Sequence, residues 1–335
     1  MSELSLKALS FEEIRGQERA LFLLEKAISS GRLPHAYLFV GPPGVGRETT
    51  ALSFFGRLIC LEGRFCKSCL PCRKFLRGVH PDVEILAPQG KNIKIEQIRA
   101  LEGKLYFQPL EGQRRLILLP QAELLTREAA NALLKSLEEP PPYTLFVLLA
   151  QTTEAILPTI VSRCQLVRFR PLSSSVLKEL LIERFEKLPE EAEGLAVLAE
   201  GSLGRALRLA EKGMLEELFR FVQAVSAGRP SYLVNMAEAI AALKEEQPLF
   251  WELVLLWLRR AWLSYLGLCA YPTLLPARPP RAFIPAASQK IMKIFPGLEA
   301  NLNPELLTLS LLTELARLWG ETKGLEVSTQ GAGAA

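Results

Sequence analysis

The stretch from Leu38 to Thr50 reads LFVGPPGVGRETT, and it decides the fold of the N-terminal half of this 335-residue chain. An apolar run leads into a glycine-rich turn and then into a helical pattern, which is the setting of a phosphate-binding loop between a buried strand and a helix. Gly41, Gly44 and Gly46 keep the spacing of such a loop. The sequence therefore predicts a nucleotide-binding type of α/β architecture.

The two positions after the last glycine depart from a working nucleotide site. A Walker A loop places a lysine there to reach the β- and γ-phosphates, followed by a serine or threonine that holds Mg²⁺. This chain has Arg47 and Glu48 instead. A carboxylate in a confined polyphosphate site is repulsive. We expect a vestigial loop and no ATP hydrolysis by this chain, while weak nucleotide binding stays open because a helix N-terminus still attracts anions.

Apolar runs of strand length alternate with helical stretches in the first half of the chain. The runs are AYLFV at 36–40, DVEIL at 82–86, RLILL at 115–119, TLFVLLA at 144–150 and QLVRF at 165–169. Because their hydrophobicity is continuous, they predict strands that are buried on both faces of a parallel sheet.

The pattern changes near residue 170 and divides the chain into further parts. We expect an α/β domain over 1–170, a small helical lid over 171–212 and an all-α C-terminal domain over 213–320. Residues 321–335 are polar and rich in Gly and Ala, which predicts a disordered tail.

Composition restricts the classes of protein to which the chain can belong. The most apolar stretch, 249–270, is interrupted by Glu252, Arg259 and Arg260, so it predicts a buried helix and no membrane partner. The start of the chain is charged and has no apolar targeting core, so we expect a cytoplasmic protein. A net charge of +4 argues against strong non-specific binding to nucleic acid.

Four of the six cysteines lie within thirteen residues. They are Cys60, Cys66, Cys69 and Cys72, in the string CLEGRFCKSCLPC. Thiolates at such short separations can converge on one tetrahedral Zn²⁺. The alternative of free or disulfide-bonded thiols is weaker in a chain without an export signal. Because the four thiolates complete the tetrahedron, we expect a structural metal site.

Several strings occur in an order that points to one family. They are RLPHAYLFVGPPGVGR, the inserted cysteine cluster, HPDVEIL, NALLKSLEEPPPYTLFVLLA and TIVSRCQLVRF. Together they resemble the clamp-loader branch of the AAA+ proteins, specifically over residues 1 to about 212. The resemblance implies a RecA-like AAA+ domain with an inserted zinc module at about 60–72, followed by the helical lid and a helical collar that serves oligomerisation.

The resemblance also locates the other nucleotide-handling positions. The acidic pair that ends a Walker B strand falls on Pro120 and Gln121, neither of which can help to hold Mg²⁺ or polarise water. The phosphate-sensing arginine of the lid falls on Gly204, with Arg205 one residue late. Damage at separate elements of one site favours a chain that does not hydrolyse ATP.

Two elements of the family's site are retained under the same resemblance. A sensor threonine falls near Thr152 or Thr153. The triplet Ser162-Arg163-Cys164 is similar to the motif that presents an arginine finger to ATP on a neighbouring subunit. A guanidinium suits that task because its planar fork and fixed charge match a transferring phosphoryl group. The alternative is that Arg163 is an ordinary surface charge at the end of a strand.

The resemblance therefore implies a non-hydrolysing subunit that supplies Arg163 in trans. Its expected partners are ATP-binding clamp-loader subunits and a delta subunit in a hetero-oligomeric ring, which acts on a sliding clamp and primed DNA. One alternative is an active AAA+ ATPase subunit, against which Pro120 and Gln121 argue. Another is a zinc-dependent nucleic-acid-binding protein, against which the modest net charge argues.

Overall fold

The computed structural model describes residues 9–272, 275–299 and 304–331. These residues form two compact units. The first comprises the chain up to Val176 together with the short segment 201–204, and the second comprises 177–200 and the residues from 205 onward. Each unit has its own architecture.

The first unit is built around a five-stranded parallel sheet. Its strands are β1 (Ala36–Val40), β2 (Val83–Ile85), β3 (Arg115–Leu119), β4 (Thr144–Ala150) and β5 (Gln165–Arg168). Their order across the sheet is β2-β3-β4-β1-β5. All five predicted strands are confirmed, and with them the parallel α/β class.

Burial follows the position of each strand in this order. Every residue of β1, β3 and β4 is buried, because these strands have a neighbour on both sides and helices on both faces. The edge strands β2 and β5 are only partly buried. The continuous apolar runs of the sequence are therefore most complete in the three central strands.

Helices of the first unit pack on the two faces of the sheet. They are α1 (Glu18–Ser29), α2 (Arg47–Ile59), α3 (Leu70–Leu76), α4 (Ile95–Leu105), α5 (Arg127–Glu138) and α6 (Pro158–Val161). Successive residues of a strand point to opposite faces, so Leu116 and Leu118 join one hydrophobic core while Ile117 and Leu119 join the other. The sheet is thus sealed between two apolar layers.

The second unit is helical. Its helices are α7 (Ser174–Phe185), α8 (Pro189–Leu198), α9 (Leu203–Glu211), α10 (Met214–Ala227), α11 (Pro230–Ala242), α12 (Gln247–Tyr265), α13 (Phe283–Glu299) and α14 (Pro304–Gly331), of which α7 and α9 begin in residues of the first unit. Most of the predicted lid segment, 177–200 and 205–212, clusters with the C-terminal helices. In the part of the chain that the structure covers, no helix is long and apolar enough to cross a bilayer.

The end of the chain differs from the prediction. Residues 321–335 were expected to be a disordered tail, but α14 continues through this segment to Gly331. The string ETKGLEVSTQ, residues 321–330, contains no proline, so no residue in it blocks the helical hydrogen-bonding pattern. The last residues, 332–335, lie outside the described residues.

Candidate functional site

The glycine-rich loop follows the carboxyl end of β1 and leads directly into α2. Gly44 and Gly46 have positive φ angles of 74° and 98°, and Gly46 is the N-cap of α2. Such angles are favourable for glycine and strained for other residues. A Cβ atom on Gly41 would lie 2.6 Å from the carbonyl oxygen of Phe169. The glycines that the sequence singled out therefore have conformational and steric reasons to be glycine.

Residues 201–204, which are distant from the loop in sequence, are in direct contact with it. The amide of Gly204 donates to the carbonyl oxygen of Gly44 over 3.1 Å, and Oγ of Ser202 donates to the carbonyl oxygen of Pro43 over 2.9 Å. A Cβ atom on Gly204 would come within 3.0 Å of the Gly44 Cα atom. The position predicted for a phosphate-sensing arginine is thus a point of close backbone contact.

Arg47 lies in the position of the Walker A lysine, and two carboxylates of its own chain lie near it. Burial lowers the pKa of Arg47, and the nearby carboxylates of Glu123 and Glu48 act in the opposite direction. One guanidinium nitrogen of Arg47 and one carboxylate oxygen of Glu123 are buried without a hydrogen-bond partner. The positive group that would meet a phosphate therefore faces negative charge from its own chain.

The remaining nucleotide-handling positions lie at the same carboxyl edge of the sheet. Pro120 and Gln121 follow β3, as expected for the Walker B position, and offer no carboxylate. Thr153 follows β4, and its hydroxyl donates to Oε1 of Glu154 over 2.8 Å. The side chain of the second candidate sensor, Thr152, lowers the pKa of Glu154 together with Thr153. Both threonines therefore interact with a neighbouring carboxylate.

Gln17 connects the loop to the end of β5. Its side-chain Nε2 donates to the carbonyl oxygens of Val45, over 3.1 Å, and of Arg170, over 2.7 Å. The amide of Arg170 donates back to Oε1 of Gln17 over 3.2 Å. The side chain is buried, so these bonds satisfy polar groups that water does not reach.

Arg163 lies between α6 and β5. Its Nη2 atom lies 2.6 Å from Oε1 of Glu138, and its Nη1 atom donates to the carbonyl oxygen of Thr159 over 2.8 Å. The side chain keeps 34% exposure. The next residue, Cys164, has its pKa raised to about 12 by burial and lies outside the cysteine cluster.

Arg163 and the glycine-rich loop lie at opposite edges of the sheet. Strands β1 and β5 are parallel neighbours, with Tyr37 level with Gln165 and Val40 level with Arg168. The loop follows the carboxyl end of β1, whereas Arg163 precedes the amino end of β5. The four residues of β5 alone separate the two edges by about 13 Å. Arg163 therefore lies at the far edge of the sheet from the loop of its own chain.

The four clustered cysteines converge in space as their spacing predicts. Their sulfur atoms all lie within 4.8 Å of one another. A regular tetrahedron with Zn–S bonds of about 2.3 Å has sulfur atoms about 3.8 Å apart, so the cluster is the right size for one ion. None of the cysteines forms a disulfide in the described part of the chain. The donor set and its dimensions fit a structural Zn²⁺ site.

Backbone amides and burial shift the pKa values of three of these thiols in different directions. Burial of Cys60 opposes ionisation, but amide donors, first that of Cys66, outweigh it and lower the pKa of Cys60 to about 6. Hydrogen bonds from Ser68 and from the Cys69 amide lower the pKa of Cys66. Burial raises the pKa of Cys72. A cation would stabilise all four thiolates together.

The cysteine module is packed firmly on α2. Phe65, between two of the cysteines, has a positive φ of 54° and inserts its ring against Gly56 of α2. A Cβ atom on Gly56 would lie 2.5 Å from that ring. Two lysines of the module are paired with carboxylates elsewhere in the first unit, Lys67 with Glu13 and Lys74 with Glu111. The basic face of the module is therefore partly neutralised.

Comparison with known proteins relates the chain to subunits of DNA polymerase III. Residues 16–173 match the family model described as DNA polymerase III, delta subunit. The DNA polymerase III subunit delta' of Bacillus subtilis is 39% identical over 180 residues, which are 53% of this chain and 55% of that protein. This chain resembles the delta-prime subunits of DNA polymerase III. The subunit delta' of Pseudomonas aeruginosa is 36% identical over 198 residues, covering 57% of this chain and 60% of the relative.

Other subunits of the same polymerase are also similar to this delta-prime-like chain. The subunit tau of Bacillus subtilis is 33% identical over 219 residues, which are 64% of this chain and 38% of that protein. Among solved structures, a gamma-subunit-related protein of Thermotoga maritima aligns over 88% of this chain and 98% of its own, with a TM-score of 0.47 and 20% identity. The chain spans 55–60% of the length of the delta-prime relatives it matches.

Three residues of the site had no signal in the sequence. Glu123 lies near Arg47, Glu138 forms an ion pair with Arg163, and Gln17 joins the loop to the end of β5. Each is a polar residue of ordinary type whose partner is distant along the chain. The string SLEEPP belongs to one of the strings that carry the family resemblance, but only the folded chain shows which of its carboxylates pairs with the arginine.

Proposed function

We propose that this delta-prime-like chain is a non-hydrolysing subunit of the DNA polymerase III clamp loader. In this role it sits beside ATP-binding subunits and the delta subunit in a ring and supplies Arg163 to the ATP site of one neighbour. The assembly opens the sliding clamp and loads it on primed DNA. This chain contributes a positively charged side chain in a defined position, whereas its neighbour binds the nucleotide.

The observation that carries the proposal is the placement of Arg163. It lies at the amino edge of the sheet, and the glycine-rich loop of the same chain lies at the carboxyl edge. An arginine in that place cannot assist hydrolysis at its own loop. It remains partly exposed, so the phosphates of a nucleotide on a second subunit can reach it. A fixed guanidinium at that point would stabilise the charge that develops on the transferred phosphoryl group.

The state of the chain's own loop supports the same role. Arg47 lies near the carboxylates of Glu123 and Glu48, Glu48 replaces the metal-binding hydroxyl, and Pro120 and Gln121 leave no acidic group after β3. The segment that carries Gly204 lies against the loop. These features oppose the alternative of an active ATPase subunit, because each of the groups that handle Mg²⁺ and water is replaced.

The metal in this proposal is structural. Cys60, Cys66, Cys69 and Cys72 would hold one Zn²⁺, which would cross-link the two ends of the segment 60–72. The pairing of Lys67 and Lys74 with carboxylates disfavours the alternative of a zinc-dependent nucleic-acid-binding module.

The test is Arg163→Ala in a reconstituted clamp loader. The complex should still assemble, since a partly exposed arginine contributes little to the core. Loss of an arginine finger costs on the order of 10³ or more at the site it serves, so total ATP hydrolysis should fall partially and clamp loading more steeply. Arg163→Lys should rescue poorly, because lysine lacks the planar fork.

A matched control is Arg168→Ala, which removes an exposed arginine from the other end of the same strand and should leave both rates unchanged. If Arg163→Ala also left both rates unchanged in a complex that assembles normally, Arg163 would be an ordinary surface charge and the proposed role would be wrong.

A further inference from the structure

The guanidinium of Arg163 is oriented by its own chain from two sides. On one side Glu138 forms an ion pair with it, with Oε1 2.6 Å from Nη2. On the other side Nη1 donates to the carbonyl oxygen of Thr159 over 2.8 Å and to Oγ of Ser162 over 3.3 Å. The arginine side chain is 34% exposed and that of Glu138 is 50% exposed. The group is therefore held in one direction while it stays accessible to an outside ligand.

Glu138 occupies a position where its own helix gains nothing from a carboxylate. It is the last residue of α5, which is capped at its start by Thr126 and is followed by Pro140 after one residue. The C-terminal end of a helix carries partial negative charge, so a carboxylate there is unfavourable without a nearby cation. Arg163 supplies that cation. The adjacent Glu139 forms no ion pair with the residues that the structure describes.

The fold does not depend on this ion pair. Helix α5 is anchored by apolar residues that are fully buried against the sheet, among them Leu133 and Leu137. A partly exposed ion pair contributes little to stability by comparison. What the pair does control is the freedom of a long side chain, because an unpaired arginine samples many rotamers and a doubly anchored one samples few.

We propose that Glu138 is a positioning residue for Arg163. By holding the guanidinium at the amino edge of the sheet before a neighbour docks, Glu138 reduces the conformational entropy that is lost when the arginine meets a phosphate. This inference rests on the proposed function, in which Arg163 acts in trans. Glu138 itself does not touch nucleotide.

The first test uses the isolated full-length chain and needs no activity. With ¹³C,¹⁵N-labelled arginine, rotation of the Arg163 guanidinium about the Nε–Cζ bond should be slow, so its two Nη atoms should give separate signals that Arg163→Lys removes. Glu138→Gln should merge these signals into one, and Glu139→Gln should leave them separate. Merged signals in the unaltered chain, or separate signals in Glu138→Gln, would overturn the inference.

The second test uses the reconstituted clamp loader. Glu138→Gln should lower the clamp-loading rate by roughly three- to tenfold, since misorientation of an intact group costs less than its removal. The KM for ATP should not change, because the neighbouring subunit binds the nucleotide. Glu139→Gln should match the unaltered complex. The double variant Glu138→Gln/Arg163→Ala should equal Arg163→Ala alone, since a positioning residue has no effect without the group it positions.

The two proposals fail in different ways. If Arg163→Ala leaves loading unchanged, the arginine-finger role is wrong, and the positioning role is wrong with it. If Arg163→Ala abolishes loading while Glu138→Gln behaves like Glu139→Gln, only the positioning role is wrong. Further loss in the double variant would show that Glu138 acts independently of Arg163.

Discussion

The amide nitrogen of Gly204 lies 3.1 Å from the carbonyl oxygen of Gly44, so the segment 201–204 is hydrogen-bonded to the glycine-rich loop. Both residues are glycines, and a Cβ atom on either one would come within 3.0 Å of the other. Because the approach is between two backbones, it requires the absence of side chains on both. The conformation of the loop therefore permits close contact with residues 201–204 as well as a tight turn.

Two substitutions distinguish the contribution of this contact to stability from the cost of backbone strain. Gly44→Ala and Gly46→Ala both place alanine at a positive φ, which costs roughly 1–3 kcal/mol of stability. Only at Gly44 does the new Cβ atom also clash, 2.3 Å from Oγ of Ser202, whereas Gly46 has open space around it. We expect Gly44→Ala to be the more destabilising in chemical denaturation and to increase hydrogen exchange at 201–204. Equal effects of the two substitutions would contradict the contact.

The isolated chain should not hydrolyse ATP above background. Glu48 replaces the Mg²⁺ ligand of the loop, and Pro120 and Gln121 replace the acidic pair that follows β3. Phosphate release should be measured with and without Mg²⁺, with Arg47→Ala as the control. Turnover that depends on Mg²⁺ and disappears in Arg47→Ala would favour an active ATPase instead.

The purified chain should contain about one Zn²⁺, in line with one tetrahedral Cys₄ site. Cys69→Ser should lower the metal content and increase proteolytic cleavage between Cys60 and Cys72, while the circular dichroism of the main sheet and helices should persist. Cys269→Ser, which alters a cysteine outside the cluster, should leave the metal content unchanged. Metal-free protein from a zinc-supplemented reducing preparation would rule the site out.

Stability should fall in acid partly through Asp82. Burial on its own would raise the pKa of Asp82, but amide donors from Leu110, Glu111 and Gly112, at 2.6–2.8 Å, outweigh it and lower the pKa below its ordinary value. A carboxyl group with a lowered pKa in the folded state stabilises the fold above its ordinary pKa of about 3.9, and this contribution is lost as the pH falls through the folded-state pKa.

The corresponding variant is Asp82→Asn, which should destabilise the chain by about 1–3 kcal/mol at pH 7, since it removes charge-assisted hydrogen bonds. The difference from the unaltered chain should shrink as the pH is lowered from about 5 to 3. Glu139→Gln, which neutralises an exposed carboxylate in the same unit, should follow the unaltered chain at each pH. A difference that is independent of pH would mean that the charge of Asp82 is not the cause.

The sequence was sufficient to predict those features whose pattern has a single local cause. The five strands were predictable because burial on both faces demands continuous apolar residues, as in TLFVLLA of β4. The cysteine cluster was predictable because all four ligands lie close together in the chain. The helical end of α14 was not, since Gly and Ala content alone does not break a helix that has already begun.

The electrostatic partners could not be predicted in the same way. Glu123 comes near Arg47, and Glu138 pairs with Arg163, only after folding of the parallel strands brings distant segments together. Either carboxylate could have faced solvent with the same local sequence. The contact of Gly204 with Gly44 is likewise a product of tertiary folding, although the sequence located both glycines.

Helix α2 begins at the glycine-rich loop and, two turns later, receives the Phe65 ring against Gly56. Helix α2 therefore supports the glycine-rich turn at its N-terminus and the cysteine module along its length. A substitution that spoiled the turn would also disturb the support of the module. The structural roles of the glycines alone are enough to account for a recognisable phosphate loop. The presence of this loop is therefore not evidence that the chain binds a nucleotide.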